Sequence, residues 1–395
     1  MAKDKDLSTV TSSIHAGFSP EYSENSVNPA VFQSTTFIFP SAQDGKTAFS
    51  DALSGVTPKY LIYGRHNHPG AEILEERLAK IDCCNFQGYS SVFCSGMAGI
   101  NTIISVCRKK GMKYIYHTAP VYGGTYELFY HVLQGDMIPC AFNKASDLKK
   151  LYKQNGELGV IYIESPANPT MSIFNIKKIA KEAKRIDPSC VVILDNTFLG
   201  IFQKPFLMSE GVDVVLYSAT KFIGGHSDVL AGAVTVKDAE LNILIKGLRM
   251  VYGNILSPDS CERLIRSLPT YELRMRKQQG NAKKVVKFLK SCDQVEKILY
   301  PGKGSLVSFT LKNADEEKTF KFLDIISAGH IISQAVSLGG VESLVTHPKT
   351  TTHSEMDEIT LSQLGITDNF IRLSIGLEDP CEIIELLASA FKKIL

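Results

Sequence analysis

The stretch VVLYSATKFIGG, residues 214–225, carries an apolar, β-branched run into Tyr217-Ser218-Ala219-Thr220 and then sets one lysine, Lys221, before an apolar pair and two glycines. A flexible amine at the end of a buried strand costs desolvation unless an anion, a partner or a covalent bond accounts for it. Three other apolar runs end in the same manner: CVVIL in Asp195, GVIYI in Glu164, and SSVFC in Ser95-Gly96-Met97. Taken singly, Asp195-Asn196-Thr197 and Ser95-Gly96 read as helix caps. Taken together, an acid, a lysine, hydroxyls and a glycine turn meet the needs of pyridoxal phosphate (PLP). That cofactor requires a Schiff-base lysine, a carboxylate on its pyridinium proton, donors for its phosphate and an aromatic face for its ring. Asp195, ionised against the ring nitrogen, would keep the electron sink protonated. Ser218 and Thr220 offer hydroxyls two apart on the approach to Lys221, and Gly96 and Met97 offer N–H groups at a helix start, where the dipole favours a phosphate. Tyr122, in APVYGGTYELF, offers a phenol to cover the ring, although alone it would pass for a core aromatic at a turn.

The elements needed to position these residues are legible in the same runs. Apolar segments of strand length alternate with helical patterns: SSVFCSG then GINTIISVCRKKG, GVIYIESP then NIKKIAKEAKRID, and on to CVVILDNT and VDVVLYSAT. Such alternation predicts an α/β fold with a mostly parallel central sheet covered by helices, its ligand at the carboxyl ends of the strands. The first 60 residues, rich in Ser, Asn and Pro, read as an extended N-terminal arm, residues 61–250 as the cofactor-binding α/β domain, and 251–395 as a smaller C-terminal α+β domain with long charged helices. With 43 basic and 41 acidic side chains and no long basic run, the chain has no electrostatic footprint for nucleic acid. No stretch approaches the ~20 apolar residues of a membrane span, and MAKDKDLSTV carries no targeting pattern, so the expected compartment is the cytoplasm. Nine cysteines without C-x-x-C spacing, Cys83-Cys84 included, predict reduced thiols and no metal site.

Nearly the whole chain resembles the Cys/Met metabolism family of PLP-dependent enzymes. The resemblance rests on FQSTTF, YGR, SGM, VYGGT, ESPANPT, DNTF, SATKFIGGHSD, AVSLGGVESL and IRLSIGLED, in the family's order. It implies the type I fold of PLP enzymes, with Lys221 as Schiff-base lysine, Asp195 as pyridinium partner and Tyr122 as stacking phenol. It further implies Gly96, Met97, Ser218 and Thr220 on the phosphate, Asn168 near the cofactor's phenolic oxygen, and Ser337 with Arg372 on the substrate carboxylate, a role that suits a bidentate guanidinium. Tyr63 and Arg65 would reach the neighbouring subunit's phosphate, which implies a homodimer sharing its active sites, usually paired into a tetramer.

The chain departs from the family in two places. Where relatives read Tyr-x-Arg-x-x-Asn-Pro-Thr, residues 63–70 set His68 and Gly70 in the Asn and Thr slots, which leaves the support of the phosphate arm open. After Tyr300-Pro301-Gly302 the chain passes almost directly into KGSLVSF, a trimmed small domain. The family's reactions include cystathionine γ-lyase, cystathionine γ-synthase, β-lyase and O-acetylhomoserine sulfhydrylase. Members that handle cystathionine commonly carry Glu just before the substrate-binding Ser, where this chain has Val336, and an apolar side chain suits a thioether methyl better than a second amino-acid head. Tyr122-Gly123-Gly124, Arg65-His66 and Ala335-Val336-Ser337 together are similar to methionine γ-lyases of plant type. The expected reaction is therefore γ-elimination from L-methionine, with Tyr122, its phenol pKa lowered by neighbouring cations, protonating the departing sulfur.

Overall fold

Val160–Glu164 (β4) and Val191–Asp195 (β5) are buried along their whole length. Apolar runs of this kind persist only where a sheet is covered on both faces. The computed structural model describes residues 8–54, 59–83, 87–201 and 211–394. The N-terminal seven residues and Cys84, both used in the sequence reading, lie outside the described residues. Seven strands form the central sheet: Tyr89–Phe93 (β1), Tyr114–Thr118 (β2), Ile138–Phe142 (β3), β4, β5, Val214–Ser218 (β6) and Gly232–Val236 (β7). Their order is β1-β7-β6-β5-β4-β2-β3, parallel from β3 through β6, with β7 antiparallel to both β6 and β1.

Two apolar clusters cover the two faces, and the period of two along each strand sorts the side chains between them. Ile161, Ile163, Val192, Leu194 and Val215 face the helices Pro69–Cys83 and Ile176–Ile186. Val160, Tyr162, Ile193, Val214 and Leu216 face the helix Gly96–Lys109 through Ile100 and Ile103. The alternation continues to the strand ends, so Glu164, Asp195 and Ser218 project to the Gly96–Lys109 face.

A second sheet combines Val295–Leu299 (β8), Leu306–Leu311 (β9), Ile332–Gln334 (β10), Ser343–Thr346 (β11) and Phe370–Ser374 (β12) in the order β10-β11-β12-β9-β8. The long helix Tyr271–Leu289 and the helices Glu316–Ser327 and Pro380–Ile394 pack on it through Val285, Phe322 and Leu387. β8 and β9 form an antiparallel pair joined by the short segment 300–305. Helix Pro258–Ser267 packs against the large sheet's helix Pro69–Cys83, with Leu264 and Ile265 in the large core.

The N-terminal arm departs from the extended expectation, since it contains the helices Thr9–His15 and Ala42–Ser54. The second helix buries only Gly45 and Ala48 and leaves Phe49 and Leu53 exposed, so its sequence carries little of the apolar periodicity that announces a helix. Among the described residues, no helix is long and apolar enough to cross a membrane.

Candidate active site

Strand register assembles the rim. Glu164 lies opposite Asp195, Asp195 opposite Leu216, Ser218 opposite Gly232, and Gly232 opposite Phe93. The close approach of β7 to the start of helix Gly96–Lys109 demands glycine there: a Cβ on Gly232 would lie 2.1 Å from the Ser95 carbonyl oxygen. A Cβ on Gly96 would lie 2.9 Å from Ser218 Cβ. Ser95 caps the helix by accepting from the Ala98 N–H at 3.0 Å. The first-turn N–H groups of Gly96 and Met97 have no partner within their own helix, and with Ser218 they form a cup suited to a phosphate.

Beyond β6 the chain turns back on itself, with Lys221 N–H bonded to the Ser218 carbonyl at 3.1 Å and Gly225 N–H to the Lys221 carbonyl at 2.7 Å. The turn sends Lys221 Nζ into a cleft of about 210 Å³ between the two sheets, where it donates to Ser337 Oγ at 3.2 Å. Burial, reinforced by the Arg372 guanidinium, pulls the Lys221 ammonium down to about 8. Arg372, on β12, is 2% exposed; it donates to Asn168 Oδ1 at 2.8 Å and to the Ser337 carbonyl at 2.9 Å. Burial also lowers its pKa, to about 10. Its Nε is buried with no hydrogen-bond partner, and the residue lines the cleft.

Ten of the residues given a cofactor or substrate role in the sequence line this cleft: Gly96, Met97, Tyr122, Asn168, Asp195, Ser218, Thr220, Lys221, Val336 and Arg372. Ser337 joins them through Lys221. Tyr63 and Arg65 do not line it: Tyr63 is exposed and bridges Thr36, and Arg65 donates to the Met250 carbonyl at 3.3 Å. The Thr220 hydroxyl donates to the Ala231 carbonyl and accepts the Ala231 N–H, tying the lysine turn to the start of β7. Tyr122 differs from expectation. Its phenol pKa is raised, first by burial and then by the nearby Glu355 carboxylate, which together outweigh the opposing pull of Arg372.

Tyr162 escaped the sequence reading, and Thr197 does more than cap. Tyr162, on β4, donates its phenol to Asp195 Oδ2 at 2.9 Å, and the Thr197 N–H bonds Oδ1 at 3.0 Å. Thr197 Oγ1 accepts the Ser218 N–H at 2.8 Å, so one side chain links the acid strand to the phosphate strand. Tyr162 reads as a core aromatic in GVIYIE, and only the alternation along β4 together with its pairing to β5 would have pointed to it. His68 takes a capping place in the structure. Its Nδ1 accepts the Ala71 N–H at 3.3 Å, which caps helix Pro69–Cys83, and its Nε2 meets the Leu256 carbonyl at 2.9 Å. That network defines the neutral tautomer with the proton on Nε2, and burial holds the His68 pKa down in agreement. Gly70 leaves room for helix Pro258–Ser267, since a Cβ there would stand 3.3 Å from Cys261 Cβ.

The donor set fits PLP on this structure's own terms. Lys221 is a partly neutral amine, Asp195 is a fixed acid, the glycine cup is shaped for phosphate, and Arg372 holds an unmet donor. Comparison with known proteins agrees. Residues 10–392 match the family described as Cys/Met metabolism PLP-dependent enzyme. An L-methionine gamma-lyase of Fusobacterium nucleatum subsp. polymorphum is 34% identical, with 97% of this chain and 98% of the relative covered. A cystathionine gamma-synthase of Haemophilus influenzae is 36% identical over 84% of this chain and 87% of its own. The crystal structure of cystathionine gamma-lyase from Lactobacillus plantarum complexed with L-serine superposes with a TM-score of 0.85 at 30% identity, covering 98% of this chain and 99% of its own. The chain belongs to the Cys/Met metabolism family of PLP-dependent enzymes.

Proposed function

We propose that this carbon–sulfur lyase eliminates methanethiol from the γ-carbon of L-methionine, leaving 2-oxobutanoate and ammonia. The observation that carries the reading is the apolar wall of the cleft. Val336 lines the cleft with Leu338, Leu230 and Phe198. A thioether methyl packs against such a wall, whereas these side chains offer the second amino-acid head of cystathionine no polar contact. The methionine γ-lyase relative supports the same choice.

Bound PLP supplies the electron sink that makes the protons on the substrate's α- and β-carbons acidic. Arg372, whose side chain lines the cleft, receives the substrate carboxylate, assisted by Ser337. Lys221, whose lowered pKa gives it a substantial neutral fraction near pH 8, takes the α-proton at Nζ, and a β-proton is lost before the sulfur departs. Tyr122, whose raised pKa keeps it protonated at neutral pH, donates its phenolic proton to the departing sulfur. We further propose that the site is completed across a homodimer by Tyr63 and Arg65, consistent with their position away from their own chain's cleft.

Steady-state kcat/KM for L-methionine, cystathionine, cysteine and O-acetylhomoserine, the last with and without added thiol, tests the assignment. Methionine should be the best substrate and should need no acceptor. Faster turnover of cystathionine, or product formed only when a thiol or cysteine is supplied, would replace the reading with a cystathionine lyase, a γ-synthase or a sulfhydrylase.

A further inference from the structure

Glu164 ends β4, is 6% exposed and lies opposite Asp195 in the β4–β5 register, yet the steps above give it no task. Its carboxylate is fully engaged by backbone. Oε2 accepts the Tyr122 N–H at 2.8 Å and Oε1 accepts the Asn168 N–H at 3.0 Å. Its own N–H bonds Thr118 Oγ1 at 3.0 Å, which anchors it to β2. Each oxygen thus holds the base of a different loop, one presenting the Tyr122 phenol and the other presenting Asn168, whose Oδ1 holds Arg372 Nη1.

The geometry points to Glu164 as a positioning residue that makes the Tyr122 loop, the Asn168 loop and Arg372 one rigid unit, so that the proton donor and the carboxylate clamp keep a fixed separation. Two N–H groups converging on the two oxygens of one buried carboxylate form charge-assisted bonds, which are shorter and stronger than neutral ones. These two bonds favour the ionised form and oppose the burial and the Asp195 charge that raise the Glu164 pKa. An apolar residue of similar size would remove both acceptors, and glutamine would keep one and oppose the other N–H with its own NH2.

The test uses the PLP-loaded enzyme and the variants Glu164→Met and Glu164→Gln. Amide hydrogen exchange should rise about tenfold or more in Glu164→Met at both residues 119–125 and residues 166–171, while peptides from β8 and β9 stay at the wild-type rate. On whichever sulfur amino acid the wild type turns over, kcat should fall and KM should rise together, each by about tenfold. Glu164→Gln should open one of the two segments and lose less of both kinetic constants. Wild-type exchange at either segment in Glu164→Met, or a change confined to kcat or to KM alone, would overturn the inference. Where Glu164→Met fails to fold, a Glu164→Gln enzyme with wild-type exchange at both segments overturns it equally. The inference rests on the lyase reading for its kinetic arm only: were methionine not the substrate, the exchange pattern would still decide the role of Glu164.

Discussion

At the scale of single residues, the site separates groups that chemistry demands from groups that only hold them. Lys221 is lowered from 10.5 to about 8 by burial and by Arg372, so the neutral, nucleophilic amine is populated about two pH units earlier than in water. Capture of PLP by the cofactor-free protein should therefore accelerate about tenfold per pH unit below 8 and level off above it, as followed by the rise of the visible band. A profile that keeps rising to pH 10 would show an unperturbed lysine. Tyr162 holds Asp195 without touching substrate. Tyr162→Phe keeps the shape and removes one bond to a buried carboxylate, worth about 1.5–3 kcal/mol, so kcat/KM should fall roughly tenfold to a hundredfold. An unchanged kcat/KM would mean that Thr197 suffices to orient Asp195. Val336→Glu should move the ratio of kcat/KM for cystathionine over methionine upward by about tenfold, because an anion offers a partner to a distal ammonium and removes an apolar seat for a methyl. A variant that merely loses activity on both would argue that Val336 does not select the substrate.

At the scale of elements, the rim depends on how helices and strands begin and end. Lys221, Asp195 and Gly96 were legible because a strand-end rule applies to any covered, mostly parallel sheet, and apolar runs mark strand ends well. His68 was not, because a histidine in a capping slot signals nothing until its two nitrogens meet partners from distant segments, Ala71 on one side and Leu256 on the other. His68→Ala should lower the unfolding free energy by about 1–3 kcal/mol through the lost cap and the stranded Leu256 carbonyl, and His68→Asn should recover part of it as a competent N-cap. Denaturant midpoints measure both variants. An alanine variant as stable as the wild type would show that the cap adds nothing to helix Pro69–Cys83.

At the scale of the whole molecule, the cleft exists because two sheets are brought together, and the proposed dimer would finish it. Mixing inactive Lys221→Ala with inactive Arg65→Ala protein should restore part of the activity, since some hybrid sites would receive both intact residues. Absence of recovery after confirmed subunit exchange would place Arg65's action within its own chain. The chain by itself determined the strand runs, the alternation that covers both faces, and the identities of lysine, acid, tyrosine and glycines, because those follow from local periodicity and from the chemistry of each residue type. Only the tertiary structure decided which groups meet. Lys221 finds Ser337 across 116 residues and Asn168 finds Arg372 across 204. It also decided the sign of the Tyr122 shift, toward a protonated acid instead of a lowered phenol. The reason is physical: burial and the sum of nearby charges depend on distances between segments remote in sequence, and those distances have no signature in any local run of residues.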